Sequence, residues 1–166
     1  MHCSGLKGEG ALMESTLLAL APVTVARARH DLQTLAGLLP ADVTDPLGQL
    51  QALGDRVAAA FTTPREWEED DDPALLDVGR VLLERHGDEL LVAGVVAAIG
   101  QSAGWPVAVV ASERRAFVAH RRCGPPLALS IADEGRLIDT SDLSGEGDLW
   151  WRCPHEVADA LAAKLP

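Results

Sequence analysis

Residues 88–100 form the longest apolar segment of the chain, and the segment has no polar stripe. A helix of this composition is apolar on nearly every face, so other elements must bury it on all sides. Three short runs of apolar, β-branched and aromatic residues follow it, at positions 106–111, 116–120 and 127–132. Their length and composition favour strands. The pattern therefore predicts a buried central helix that leads into a small antiparallel sheet.

The first half of the chain shows helical spacing instead. Leucines recur at helical steps between positions 15 and 39, with a break near Pro22. Asp45 and Asp72 each precede a proline, and an N-cap residue followed by proline is a helix start. One apolar stripe follows Asp45, and it consists of Leu47, Leu50, Leu53, Val57 and Phe61. Gly87 is predicted to end the helix that starts after Asp72.

Glycine and proline divide the second half. The Gly-Pro-Pro sequence at 124–126 predicts a turn between the second and third strands. Glu134 and Gly135 predict a tight hairpin turn before a fourth strand at 136–139. Pro154 begins a closing amphipathic helix.

These elements predict an α+β fold with a helical N-terminal half, a buried central helix packed on a small antiparallel sheet, and a C-terminal helix. We expect one domain at 13–166, with a helical part at 13–87 and a core at 88–166. Residues 1–12 are glycine-rich and show no periodicity, so we expect a disordered segment or an extension that precedes the natural start at Met13.

Charge and cysteine content narrow the function classes. The chain has 25 Asp and Glu against 14 Lys and Arg, a formal net charge of −11. Nucleic-acid affinity depends on Lys and Arg, so a nucleic-acid partner is not expected. The apolar segment is too short to span a bilayer, and no secretory signal is evident. Three cysteines do not form a disulfide framework. We therefore expect a cytoplasmic protein without a membrane partner; the composition does not indicate an oligomeric state.

Six carboxylates fall between positions 66 and 72. The run lacks the alternating ligands and the turn glycine of an EF-hand loop, so we interpret it as a solvated loop and not as a cation site. Trp67 lies within it and is a candidate anchor for the loop or for a partner.

Four segments between Asp72 and Asp139 carry a family resemblance. Residues 72–87 run from Asp-Pro to Leu-Glu-Arg-His-Gly, and residues 104–107 read Gly-Trp-Pro-Val. Residues 116–120 read Ala-Phe-Val-Ala-His, and residues 130–139 read Ser-Ile-Ala-Asp-Glu-Gly-Arg-Leu-Ile-Asp. In this order they resemble the D-P…L-x-R-x-x-G, G-L-P-V, H-F-L-V-R and D-P-F-D-G-G-x-L-L-D motifs of SirB-type bacterial transglutaminase-like domains. The resemblance implies a papain-like core.

The resemblance also implies where a catalytic triad would lie. Active members of the wider superfamily place cysteine at the start of the central helix, and histidine and aspartate on the next two strands. The corresponding positions here are Glu89, Ala116 and Ser130. A carboxylate suits a helix N-terminus but is a poor acyl-transfer nucleophile. Alanine cannot accept a proton, and serine cannot stabilise an imidazolium as a carboxylate does. Thiol-dependent acyl transfer is therefore not expected.

Cysteine and histidine form a second pattern. His120 and Cys123 make one close pair, and Cys153 and His155 make another about thirty residues later. Two histidines and two cysteines would satisfy tetrahedral zinc, although the spacing is not that of a standard finger. Either pair would alternatively serve as a redox or nucleophilic pair. We favour unrelated positions, so neither a metal nor a cofactor is expected.

Arginine and tryptophan supply a candidate binding surface. The basic residues in question are Arg114, Arg115, Arg121 and Arg122, and they concentrate positive charge in an acidic chain. If the strand between the two pairs is short, both pairs flank the former catalytic face. Trp150 and Trp151 are neighbours on an extended segment, so one is expected in the core and the other exposed.

The favoured function is a catalytically inactive transglutaminase-like domain that binds or regulates another protein without a cofactor. The alternative is an enzyme that reuses the same cleft with Glu89, His120 and Cys123, for example a hydrolase or a biosynthetic acyl-transfer enzyme. Glu89 would then be a general acid or base whose pKa is raised by burial. A purely structural subunit is a third interpretation.

Overall fold

The computed structural model describes residues 9–20, 25–64, 72–143 and 148–165. The helices in these ranges are α1 (Glu9–Ala19), α2 (Val25–Ala36), α3 (Pro46–Arg56), α4 (Val78–Glu84), α5 (Glu89–Ser102) and α6 (Pro154–Ala162). The strands are β1 (Val107–Ala111), β2 (Ala116–His120), β3 (Leu127–Ser130), β4 (Arg136–Asp139) and β5 (Trp150–Trp151). Helices pack on a small antiparallel sheet, so the predicted α+β class is confirmed.

Helix α5 is the centre of the fold. The ten consecutive residues 91–100 are all buried. Helices α1, α2 and α6 and strands β1 and β2 pack around it. Asp88 caps its start, because the Asp88 Oδ1 atom accepts hydrogen bonds from the backbone N–H groups of Leu90 and Leu91, at 2.9 and 3.2 Å. The prediction of a helix buried on all sides is therefore confirmed.

The sheet has the strand order β4-β3-β2-β1-β5, and all its pairings are antiparallel. The first four strands form a meander, and β5 returns to pair with the free side of β1. The strand prediction missed β5 because a two-residue strand has no periodicity to detect. One face of the sheet packs on α5. A smaller cluster buries the other face, around Val110, Phe117, Ala119 and Ala128.

The connection between β3 and β4 fits closely against α3. Glu134 and Gly135 both adopt positive φ, at 53° and 76°, as a tight turn requires. A Cβ atom built on Gly135 would lie 2.4 Å from the Cβ atom of Ala58 and 3.1 Å from the carbonyl oxygen of Gly54. The hairpin and α3 therefore approach each other at backbone distance, and only glycine leaves room for that approach.

The helix-start predictions are confirmed at Asp45 and changed at Asp72. Asp45 Oδ1 accepts a hydrogen bond from the Gly48 N–H at 2.7 Å, and Pro46 opens α3. Asp72 caps only the short 3-10 turn Pro73–Leu76. Helix α4 then begins after Asp77, which is a separate N-cap. The helix that was predicted to start after Asp72 is therefore two elements, a 3-10 turn followed by α4.

The prediction that Gly87 ends α4 is wrong. The helix ends at Glu84, and Arg85 takes the left-handed conformation with φ 57°. Packing explains the glycine instead, because a Cβ on Gly87 would lie 2.4 Å from the Val81 Cγ2 atom. The Arg85 guanidinium lies 5.1 Å from the ring centroid of Phe61, a cation–π contact that holds the residue in place.

The N-terminal prediction needs one correction. Residues 9–12 belong to α1 rather than to a disordered segment. The helix packs on α5 through Met13, Leu17 and Leu18, which are all buried. Residues 9–12 therefore continue a helix that these core contacts hold in place. Residues 1–8 lie outside the described residues. Within the described ranges, no helix combines the length and apolar composition that a membrane crossing requires.

Candidate functional site

The structure brings together the three positions that the resemblance assigned to a triad. Glu89 lies in the first turn of α5, Ala116 begins β2 and Ser130 ends β3. The Ala116 N–H donates a hydrogen bond of 2.8 Å to Glu89 Oε1. Arg115 joins the other two positions: its Nε donates to Glu89 Oε1 at 3.2 Å, and its Nη2 donates to Ser130 Oγ at 3.2 Å. The group at the centre of the site is therefore a guanidinium.

Arg115 has further contacts that fix its side chain. It lies 3.8 Å from the Asp133 carboxylate, which in turn accepts a 2.5 Å hydrogen bond from the Ser130 hydroxyl. The Phe117 ring lies 5.4 Å from the guanidinium carbon. Sequence reasoning assigned Arg115 to the surface and missed Asp133. Pairing of Phe117 with Ser130 in the β2–β3 ladder carries Arg115 to this place, and that register is not visible in the sequence.

The β1–β2 turn directs Arg115 into the site. The Ser112 hydroxyl accepts hydrogen bonds from the backbone N–H groups of Arg114 and Arg115, at 3.2 and 3.0 Å. The Ser112 N–H donates to the Arg115 carbonyl oxygen at 3.0 Å. A serine at this position thus closes the turn, as short polar side chains do.

Burial dominates the electrostatics of Glu89. Desolvation raises the pKa of the Glu89 carboxyl above its ordinary value, and the Ala116 N–H and the Arg115 guanidinium offset that rise only in part. Both of these donors reach Oε1, and Oε2 accepts no hydrogen bond from the residues that the structure describes. Glu89 is therefore a carboxyl group with one free oxygen and a raised affinity for a proton.

Glu89 lines a cleft of about 130 Å³ between the start of α5, the β1–β2 turn and α6. This volume corresponds to about four water molecules. Apolar side chains form part of its wall, and these are Leu90, Ala111, Ala116, Val157 and Ala160. The Ser112 side chain and seven charged side chains complete it, and the charged ones are Glu89, Glu113, Arg114, Arg115, Arg152, Glu156 and Lys164. The cleft suits a small polar group or the side chain of a partner.

One contact holds α6 against this cleft, and a second stabilises the start of α6 itself. Lys164 Nζ lies 2.5 Å from Asp88 Oδ2 and so links the end of α6 to the start of α5. Glu156 Oε2 accepts a hydrogen bond of 2.8 Å from the Cys153 N–H, at the start of α6. Both carboxylates lie at helix N-termini, where negative charge is stabilising.

His120 is not part of the cleft. It ends β2, four residues beyond Ala116, which is about 13 Å along a strand. Its Nδ1 accepts a hydrogen bond from the Arg122 N–H at 3.1 Å, so the neutral ring donates Nε2–H to Gln49 Oε1 at 2.9 Å. Burial, followed by the charge of Arg122, lowers the pKa of His120. His120 and Cys123 are not among the described residues that line the cleft, so the structure does not place them beside Glu89.

The structure does not bring the two cysteine–histidine pairs together as a four-ligand group. Across the described ranges, no three His, Cys, Asp or Glu side chains are grouped so that they could hold a metal ion. Both ring nitrogens of His120 contact other groups, so it cannot serve Cys123, which is half-buried against the core. Cys153 caps α6, and His155 is exposed in its first turn.

The four candidate arginines do not form one patch. Arg114 and Arg115 lie in the β1–β2 turn, whereas Arg121 and Arg122 follow the opposite end of β2. The predicted surface is therefore divided, because β2 extends away from the site. The exposed Arg122 lies beside His120, and the Arg121 guanidinium lies 5.0 Å from the Trp151 ring.

The tryptophan pair behaves much as expected. Trp150 is 39% exposed, and the guanidinium of Arg152 lies 4.4 Å from its ring centroid. Trp151 is half-buried and packs on the second core cluster. Trp67 and positions 66–71 of the acidic run lie outside the described residues.

No protein-family model, no curated protein sequence and no solved structure matches this chain.

Proposed function

We propose that this protein is a transglutaminase-like domain without catalytic activity, which binds or regulates another protein. The observation that carries the proposal is the Arg115 network. Its guanidinium contacts the carboxylate of Glu89 and the hydroxyl of Ser130, at the positions where the resemblance places nucleophile and orienting residue. An arginine that is tied to a carboxylate neither attacks a carbonyl nor accepts a proton.

The composition of the cleft supports the same conclusion. Neither cysteine nor histidine is among the described residues that line it. Ser112 is the remaining candidate nucleophile, but its hydroxyl oxygen accepts two backbone N–H bonds and contacts no base. A hydroxyl nucleophile is activated by a base within hydrogen-bond reach, and among the described residues no carboxylate or imidazole contacts the Ser112 hydroxyl.

Restoring the three side chains tests the proposed frame. In Glu89→Cys combined with Ala116→His and Ser130→Asp, we expect the introduced thiol to be alkylated at acidic pH. In Glu89→Cys alone, the rate of alkylation should fall more steeply with decreasing pH than it does in the triple variant. The reason is that an adjacent imidazolium stabilises thiolate and lowers the thiol pKa. Iodoacetamide alkylation followed by peptide mass spectrometry, from about pH 5 to about pH 9, measures the rate at position 89 separately from the native cysteines.

Glu113→Cys, in the exposed part of the β1–β2 turn, is the matched control. Its thiol should show the pH–rate profile of an ordinary cysteine. Identical profiles for the triple and the single variant at position 89 would show that positions 116 and 130 do not form a triad frame, and the transglutaminase-like assignment would then fail.

A second candidate function follows from Glu89 itself. Its raised pKa and its free Oε2 in a cleft are properties of a general acid. In the enzyme alternative, Glu89 is therefore the general acid, and His120 and Cys123 have no catalytic role.

Replacement of Glu89 by glutamine separates the two functions. Glutamine retains an oxygen for the Ala116 N–H but cannot ionise. A carboxyl whose folded pKa is raised contributes stability below its unfolded pKa of about 4.5, and that stability is lost as pH rises through the folded pKa. Compared with the wild type, Glu89→Gln should therefore gain stability as pH rises from about 5 to about 8, as measured by urea unfolding.

The binding proposal predicts that this variant retains the biological effect of the protein and captures the same partner. Glu113→Gln is the control for the stability measurement, because it removes the same charge from an exposed residue of the same cleft. Loss of the biological effect in a Glu89→Gln protein that folds normally would instead favour general acid catalysis.

A further inference from the structure

We propose that the rim of the cleft contacts an acidic segment of a partner protein, with Arg114 and Arg152 as the groups that bind its carboxylates. The inference rests on the proposed binding function and names the chemistry of the partner. It concerns the cleft residues Arg114 and Arg152, here called the rim, and not the Arg115 network.

Arg114 and Arg152 come from different elements and border the same cleft. Arg114 is exposed in the β1–β2 turn, and Arg152 is half-buried directly after β5. Neither forms an ion pair with a carboxylate of the described residues. By contrast, Arg115 is paired with Glu89, and Lys164 is paired with Asp88. The two guanidiniums are therefore the cationic groups of this cleft that remain available.

The carboxylates of the cleft do not satisfy these two arginines. Glu89 contacts Arg115 and the Ala116 N–H, and Glu156 accepts the Cys153 N–H. Glu113 is exposed on the same turn as Arg114 and is the remaining counter-charge at the rim. The cleft is lined by three carboxylates and four cationic side chains, which are Arg114, Arg115, Arg152 and Lys164, so it is locally positive in a chain whose formal charge is −11.

Trp150 makes this rim suitable for a protein segment. Its ring is 39% exposed, and the guanidinium of Arg152 lies over it at 4.4 Å. An arginine stacked on an aromatic ring is held in one orientation and still presents its N–H groups in plane to a carboxylate. Trp and Arg are also the side chains that contribute most to protein interfaces. Strand β5 is the last strand of the sheet, so an extended segment can lie along its outer edge.

The charge of the whole chain decides against a nucleic acid at this rim. Binding to a phosphate backbone needs many cations over an extended surface, and the net charge of −11 opposes it. Two arginines beside an exposed tryptophan match one or two carboxylates on a segment that also carries apolar side chains. The other acidic occupant would be a second copy of this chain, which has six carboxylates between positions 66 and 72.

Synthetic peptides test the inference on the full chain. The probe is a peptide of about ten residues that alternates glutamate with valine, and its partner probe replaces glutamate by lysine. Calorimetric titration should show binding of the glutamate peptide, weakening with added salt, and no binding of the lysine peptide. Arg114→Gln and Arg152→Gln should each reduce the affinity roughly tenfold, because each removes a charged hydrogen bond.

Arg122→Gln is the matched control, since it removes the same charge from an exposed arginine at the far end of β2. It should change the affinity less than about twofold, because its charge is screened over that distance. An equal loss in Arg122→Gln and Arg114→Gln would overturn the inference, as would equal binding of both peptides.

The inference and the proposed function fail in different ways. If Arg114→Gln combined with Arg152→Gln captures the native partner as well as the wild type does, the binding function stands and the acidic contact at this rim is refuted. If sedimentation shows a dimer of the wild type that Arg152→Gln abolishes, the rim belongs to a second copy of the chain, and the assignment to a different protein is refuted.

Discussion

Replacement of Gly135 by alanine is expected to destabilise the protein by roughly 2–5 kcal/mol. Two costs add at this position. Alanine in the left-handed conformation at φ 76° costs about 1–2 kcal/mol. The new methyl group would also lie 2.4 Å from the Cβ atom of Ala58, in the 3-10 turn that follows α3, and relief of that overlap requires this turn and the hairpin to separate, at about 1–3 kcal/mol. The midpoint of urea unfolding measures the sum.

Gly104 provides the matched control for this prediction. It also has positive φ, at 81°, but a Cβ there would meet nothing within 4 Å. Gly104→Ala should therefore show the conformational cost alone, about 1–2 kcal/mol. Equal destabilisation of the two variants would show that the close approach of α3 to the hairpin contributes nothing.

Replacement of His120 by alanine is expected to cost about 2–4 kcal/mol at neutral pH. The side chain is only 1% exposed, so its removal leaves a cavity between α3 and β2. It also removes the donor to Gln49 Oε1 and the acceptor for the Arg122 N–H. The free energy of unfolding in urea measures the loss, and His30→Ala, at an exposed position of α2, should change stability by less than about 0.5 kcal/mol.

The same histidine should determine part of the acid sensitivity of the fold. Because burial lowers the folded pKa of His120, the unfolded chain binds a proton first as pH falls. Stability is then lost as pH falls below about 6.5, until the folded pKa is reached. The wild type should therefore lose more stability than His120→Ala between about pH 7 and about pH 5. Parallel curves for the two proteins would contradict this origin of the acid sensitivity.

The architecture was largely predictable from sequence because its main elements have uniform patterns. Residues 88–100 contain nothing polar after Glu89, which leaves a helix no face for water. The strand β2 was predicted at its observed bounds, and the proline after Cys153 marked the start of α6. Such local patterns require no knowledge of which elements pair.

The site was predictable only in part, because its contacts depend on pairing and packing. The expectation that Glu89, Ala116 and Ser130 lie together agrees with the geometry, but Arg115 between them was assigned to a candidate binding surface. A charge in a turn gives no local indication of a partner 26 residues earlier in the chain. His120 was likewise predicted to lie near the cleft. The sequence does not show that it pairs with Gln49 of α3, which is 71 residues away along the chain.

The burial of α5 sets how its sequence can vary. An amphipathic helix has a wet side on which polar residues are exchanged freely, whereas ten consecutive positions of α5 have no such side. A charge at any of them would have to be desolvated, which costs several kcal/mol. During evolution these positions can therefore exchange only small and branched apolar residues. A polar residue is not tolerated at every third or fourth position, as it is on the exposed side of an amphipathic helix. Distant relatives of this chain should therefore keep the apolar composition of α5 even where the individual residues differ.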